Sequence, residues 1–342
     1  MNPEEDPLTY DDESSTACAV NVASPMRLRR SGLAPIQTQL PNPEKKTIKH
    51  IVLSGGGGAG FAYYGALRES HKDGFWNIDD IQTMHGVSCG AIFVAFLTIL
   101  KQIGWDDYDD FCIKRPWESV LDFSAEKLLN AYSNVGICDR DSVKNVFLPL
   151  LNAVDLPIEV TLQDFYEFSK IEAHFYATNF NTYELVDISY KTHPDWALID
   201  AIYSSCALPI LFKPNVVDGV RYVDGGFLCS YPLNECLKIA GDADEVFGMN
   251  KIDPPSKTQH TKEKKEAQEY GNLIEYIADI VVKTMEKLSS GPAKIRNTID
   301  FFDEDSDALR SIYNVMRTKE TRAAKVQEGV DYWIRFKTNR VS

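Results

Sequence analysis

The spacing of hydrophobic positions changes several times along the chain, and each change marks an element. Residues 49–54 form a short β-branched and apolar run, the pattern of a parallel strand buried on both faces, and the glycine-rich stretch 55–60 follows at once. Residues 61–71 then take helical spacing, 81–85 read as a second strand, and 91–102 as a second, very apolar helix. Strand, glycine turn and helix, repeated, predict a parallel sheet covered on both faces. Beyond them the pattern predicts a helix over 139–151 and neighbouring strands over 173–178 and 183–187. It then predicts a helix over 196–204, short strands around a turn at Asp218-Gly219, and a last strand of the body over 245–249.

The flanks read differently. Residues 1–47 carry Pro, Ser, Asn and Asp clusters without periodicity, as a flexible leader does. Its Arg27, Arg29 and Arg30 read as a solvated charge run. After the body, 48–250, Asp253-Pro-Pro breaks the pattern and a Lys/Glu run to Glu269 reads as a surface linker. Residues 273–288 form a helix with one apolar face, expected to pack on the body, with docking on a membrane surface as the alternative use. The expectation is a three-layer α/β fold with a mainly parallel central sheet and helices on both faces, extended over 251–342 by a linker and a mostly helical region.

Charge and cysteine content narrow the function. Of the net charge of −14, residues 51–250 hold 13 basic and 28 acidic groups, while both flanks are near balance. An acidic body lacks the concentrated basic face of a nucleic-acid binder and has no general pull toward anionic lipid. The longest apolar run, 91–100, is broken by Thr98 and is too short to cross a bilayer, and the acidic first residues are no secretory signal. Seven scattered cysteines without a CxxC pair predict free thiols in a reducing compartment. A cytoplasmic chain that touches intracellular membranes at most peripherally is therefore expected, with its oligomeric state open.

Three motifs carry chemistry. Gly86-Val87-Ser88-Cys89-Gly90 is a G-x-S-x-G between an apolar strand and an apolar helix, the setting in which a serine hydroxyl is exposed on a tight turn at a helix N-terminus. Ser54 is followed by Gly55, Gly56, Gly57, Gly58, Ala59 and Gly60, whose backbone N–H groups can converge on an oxyanion or a phosphate. Through Gly55, Gly57 and Gly60 that stretch also satisfies G-x-G-x-x-G, which keeps a dinucleotide reading open, although Asp79 and Asp80 precede the second strand instead of closing it. Tyr222-Val223-Asp224-Gly225-Gly226 alone reads as a turn.

In this order the three motifs resemble the patatin-like phospholipase family. Leu53-Ser-Gly-Gly-Gly57, Gly60-Phe61-Ala62 and Gly65-Ala-Leu67 are similar to its opening. Ser205-Cys-Ala-Leu-Pro209, Phe212, Pro214 and Asp218-Gly219, running into Asp224-Gly225-Gly226, are similar to its closing stretch. The resemblance spans about 48–250 and implies a Ser–Asp dyad. Ser88 would be the nucleophile, Asp224 its general base and acid, and the N–H groups of Gly56, Gly57 and Gly58 the oxyanion hole. Phospholipid or acylglycerol esters at a membrane or micelle surface would be the substrates, with no metal and no cofactor. In one departure, the family often carries Arg or Lys where this chain has Ala59, so a positive charge is missing from the loop. A catalytically weak lipid-binding relative, transfer of the acyl group to an acceptor other than water, and a triad completed by His85, His174, His193 or His260 are the alternatives.

Overall fold

The computed structural model describes residues 46–120, 135–252, 273–288, 293–302 and 308–341. Cys18, His260, the leader arginines and the Lys/Glu run to Glu269 lie outside them.

The centre of the sheet is β1 (His50–Leu53), flanked in parallel by β2 (Thr83–Val87) and β7 (Val246–Ile252). β3 (Glu172–Asn179) joins β2 in parallel, and β8 (Thr298–Phe302) joins β7 in parallel. On the β3 side, β4 (Glu184–Ile188), β5 (Asn215–Val217) and β6 (Val220–Asp224) add antiparallel pairs. The strand expected at 245–249 is the last of the body, and β8 adds a further strand to the sheet from the region expected to be a linker and mostly helical. β8 was not legible because its five residues alternate between half-exposed and buried, as an edge strand's do, and give no long apolar run.

Helices cover both faces. α1 (Gly60–Lys72) and α2 (Cys89–Thr98) follow the first two strands, and α3 (Arg140–Ala153) begins at Asp139, whose side chain caps it reciprocally with Ser142. α4 (Leu162–Ser169), α5 (Leu198–Cys206) and α6 (Leu233–Ala240) are the later helices of the body, and short helical turns at Leu100–Ile103, Trp105–Asp109 and Trp117–Val120 follow α2. α7 (Leu273–Leu288), α8 (Ala308–Arg317) and α9 (Lys319–Val341) lie beyond residue 250. α2 is shorter than the apolar run suggests. The Thr98 hydroxyl donates back to the Val94 carbonyl at 2.8 Å, competing with the helical ladder, and the chain turns at Ile99.

The alternation of β1 separates two cores. Ile51 and Leu53 enter the large core that also holds α1, α2 and Trp333 of α9, whereas Val52 packs with Tyr231, Leu233 and Cys236 under α6. Every residue of β1 and β2 is buried, the apolar Ile51, Val52, Leu53, Met84 and Val87 together with the polar His50, Thr83 and His85.

Under α6 the sheet also carries an internal polar chain. His50 Nδ1 is hydrogen-bonded to Thr83 Oγ1 at 2.8 Å, Thr83 Oγ1 to His85 Nε2 at 2.8 Å, and His85 Nδ1 to the Tyr176 hydroxyl at 2.9 Å. The His174 ring stacks on His85 at 4.3 Å and pairs with Asp187 and Glu172.

Candidate active site

β3 acts as the ruler that sets the site. Its residues Phe175 and Tyr176 pair with both β2 and β4, so those strands take opposite edges. Its residues Ala177 to Asn179 pair with both β4 and β6, so β6 shares the edge of β2. β2 climbs that edge to Val87, opposite Tyr176, and β6 descends it to Asp224, opposite Ala177. Two strands far apart in sequence therefore meet end to end, and Ser88 follows one end where Asp224 closes the other.

The backbone of Ser88 has φ 54° and ψ −125°, a region that side-chain-bearing residues avoid and that stores strain where it occurs. Gly86 and Gly90 permit the turn by their lack of a side chain. An ideal Cβ at Gly86 would lie 2.5 Å from the Gly90 carbonyl oxygen, and one at Gly90 2.5 Å from that of Leu53. The turn is braced from α5. Ser88 N–H donates to Ser205 Oγ at 3.1 Å, the Ser205 hydroxyl donates to the Tyr176 carbonyl at 2.7 Å, and Cys206 Sγ donates to the Ser88 carbonyl at 3.0 Å.

Asp224 is 0 % exposed. Its Oδ1 accepts the Gly226 N–H at 2.8 Å, and Oδ2 is buried without a hydrogen-bond partner. Burial pushes its pKa up to about 6, against the opposing pull of the Ser88 hydroxyl and the Gly226 N–H. The Ser88 hydroxyl thus lies close enough to favour the ionised form of Asp224. No described histidine contacts either residue. His85 and His174 belong to the polar chain under α6, and His193 sits in a turn against Thr192 and Trp196.

The glycine loop lies beside the serine turn. An ideal Cβ at Gly55 would stand 3.4 Å from Ser88 Cβ, and the N–H groups of Gly57 and Gly60 act on the Cys89 thiol. Gly55 N–H donates to the Ser230 carbonyl at 2.8 Å, and the Ser54 hydroxyl is hydrogen-bonded to the Tyr63 hydroxyl at 2.8 Å. Asp79 and Asp80 sit before β2, at the amino ends of the strands beside Thr83 and Glu172, and so at the opposite end of the sheet from the loop. An acidic residue there does not serve the dinucleotide arrangement.

The region beyond residue 250 borders the site. Met285 of α7 packs over Gly226, with its Cε 2.6 Å from where a Cβ would stand. Ser311 of α8 packs on Gly58 with Oγ at 2.7 Å on the same measure. The six described cysteines are free thiols, and no group of three or more described His, Cys, Asp or Glu residues is placed to hold a metal ion. The bracing roles of Ser205 and Tyr176 had no signal in the sequence, because they depend on the register of β3. Ser205 was legible only as part of the Ser205-Cys-Ala-Leu-Pro209 stretch.

The chain is 28% identical over 217 residues to an uncharacterized protein of Acanthamoeba polyphaga mimivirus, covering 59% of this chain and 65% of that one. It is 24% identical over 195 residues to a probable lipid hydrolase of Invertebrate iridescent virus 6, covering 56% and 64%. The chain thus spans a little under two thirds of the length of these relatives. Among solved structures it is similar to VipD of Legionella pneumophila, with a TM-score of 0.47 and 19% identity over 85% of this chain and 67% of that one. It is also similar to ExoU of Pseudomonas aeruginosa in complex with SpcU, with a TM-score of 0.40 and 18% identity over 83% and 52%. The sequence profile described as patatin-like phospholipase matches residues 51–237, more than half of the chain, and with the glycine loop, the serine turn and Asp224 all inside that span the chain belongs to the patatin-like phospholipase family.

Proposed function

We propose that this chain is a lipid acyl hydrolase that cleaves carboxylic esters of phospholipids or acylglycerols through an acyl-enzyme on Ser88. The observation that carries the reading is the pairing of a fully buried carboxylate, Asp224, with a serine on a strained turn. An isolated carboxylate is a weak base toward a hydroxyl. Burial lifts the pKa of Asp224 to about 6, which makes it a stronger base that is still ionised at neutral pH.

In this mechanism Asp224 takes the Ser88 proton as the hydroxyl attacks the ester carbonyl. The developing oxyanion rests on N–H groups of Gly56, Gly57 and Gly58, and Asp224 returns the proton to the leaving alcohol. Water, deprotonated by the same carboxylate, then releases the fatty acid. The name of the iridescent virus relative, a probable lipid hydrolase, supports the substrate class. No described helix is long and apolar enough to cross a membrane, and contact with the lipid surface is proposed to be peripheral. A cytoplasmic location belongs to the same proposal.

The test is fatty-acid release from mixed phospholipid micelles in the presence of a chelator, by the protein and by Ser88→Ala. Release by the first and none by the second is expected. Equal release by both, or release that stops with the chelator, overturns the reading.

A further inference from the structure

The glycine loop, Gly55 to Gly60 with Ala59, carries no charged side chain of its own. A cation nevertheless reaches the loop from another element. Lys251 lies at the end of β7, and its N–H donates to Ser54 Oγ at 2.9 Å, which fixes the strand end against the first residue of the loop. From there its side chain crosses Gly56, with Cδ 2.8 Å from where a Cβ of residue 56 would stand. Gly56 is thus the seat of the lysine stem, and any side chain at 56 would displace it.

The charge bears on the serine turn. The Cys89 thiol, next to Ser88, is pushed up to about 12 by burial, and the Lys251 ammonium is the strongest influence opposing that rise. The pKa of Asp224 is set by burial, Ser88 and Gly226. A cation beside Asp224 would lower its pKa and weaken it as a base, whereas a cation on the loop side stabilises charge developing on the carbonyl oxygen.

We propose that Lys251, lying across Gly56, supplies the positive charge that Ala59 does not, and stabilises the oxyanion formed on the glycine loop during acyl transfer. The proposal rests on the Ser88 acyl-enzyme reading. Acting through the loop, Lys251 is a positioning and electrostatic residue, and its contribution belongs to the transition state more than to substrate binding.

The experiment compares wild type, Lys251→Met, Lys251→Arg and Ser88→Ala. Two readouts are taken: stoichiometric labelling of Ser88 by a fluorophosphonate, and hydrolysis of a soluble short-chain ester. Methionine keeps an unbranched stem over Gly56 and removes only the charge. The expected result is a loss of roughly tenfold or more in both the labelling rate and kcat for Lys251→Met, with KM within about twofold. Lys251→Arg should recover most of the loss, and the acid limb of the pH profile should stay near the Asp224 value in both variants. Normal rates in Lys251→Met overturn the inference, as does equal loss in the methionine and arginine variants, which would make Lys251 a packing residue. Wild type that is not labelled at Ser88 overturns the acyl-enzyme reading and this inference with it.

Discussion

The hydroxyl of Ser205 accepts the backbone N–H of Ser88 at 3.1 Å. The same hydroxyl donates to the Tyr176 carbonyl, so one buried side chain ties the strained serine turn to the strand that sets its register. Ser205→Ala leaves the Ser88 N–H and the Tyr176 carbonyl without this partner, at a cost of ~1–3 kcal/mol. Relaxation of the turn should lower kcat by about tenfold or more, because small misplacements of a nucleophile are costly. Urea unfolding and steady-state kinetics check the two effects; an unchanged kcat would show that the turn holds its shape without the brace.

Ionised Asp224 is the active form of the proposed base. Because burial raises its pKa to about 6, kcat/KM should fall by about tenfold per pH unit below that value. A profile that bends near the ordinary carboxylate value of 3.8 would remove Asp224 from the role.

The same shift acts on stability with a definite sign. Between the unfolded value near 3.8 and the folded value of about 6, the native state binds more protons than the unfolded one. Stability therefore falls as pH rises through that window, and above it the buried charge costs on the order of 3 kcal/mol. Asp224→Asn should lose turnover yet melt at a higher temperature than wild type at about pH 8, with the gap closing at about pH 4. Calorimetry at the two pH values reads this directly.

His174 behaves in the opposite sense. Burial pulls its pKa down, but the Asp187 and Glu172 carboxylates outweigh burial and hold it at about 8, above the ordinary 6.5. Its contribution to stability is complete below 6.5 and is lost as pH rises through about 8. The melting-temperature gap between wild type and His174→Gln should be large at about pH 6 and small at about pH 9.

Gly225 and Gly219 make a matched pair of tests. An ideal Cβ at Gly225 would stand 2.1 Å from the Tyr176 carbonyl oxygen, so Gly225→Ala must push β6 from β3 and should cost more than ~3 kcal/mol. Gly219 has φ 79° but open space around it, so Gly219→Ala should cost only about 1 kcal/mol of backbone strain. Denaturant midpoints of the two variants measure the difference.

Much of this organisation is legible in the sequence. β1 is buried on both faces, and its Ile51-Val52-Leu53 run reads as a strand at once. The glycines flanking Ser88 announce a turn that no side chain permits. What is not legible depends on register. Nothing near Tyr176 or Ser205 indicates that a carbonyl and a hydroxyl will converge on Ser88, because that follows from β2 and β6 sharing one edge of β3. The chain from His50 to Tyr176 is hidden for a related reason. Its members alternate with apolar neighbours and align only when three strands lie side by side. Lys251 is followed at once by the Asp253-Pro-Pro break, and its place over Gly56 comes from the pairing of β7 with β1, not from local pattern.

α1 and α9 press together without side chains between them at two points. An ideal Cβ at Gly65 would fall 2.0 Å from the Val326 carbonyl oxygen, and one at Gly329 1.9 Å from that of Ala62. α1 leaves the ribosome long before α9 has been made. During synthesis the helix that follows the glycine loop must therefore wait with its seat empty, exposed to chaperones and to premature aggregation. A chain cut before α9 is therefore expected to leave α1, the helix that carries the glycine loop at its start, without the partner that its glycines are shaped to receive.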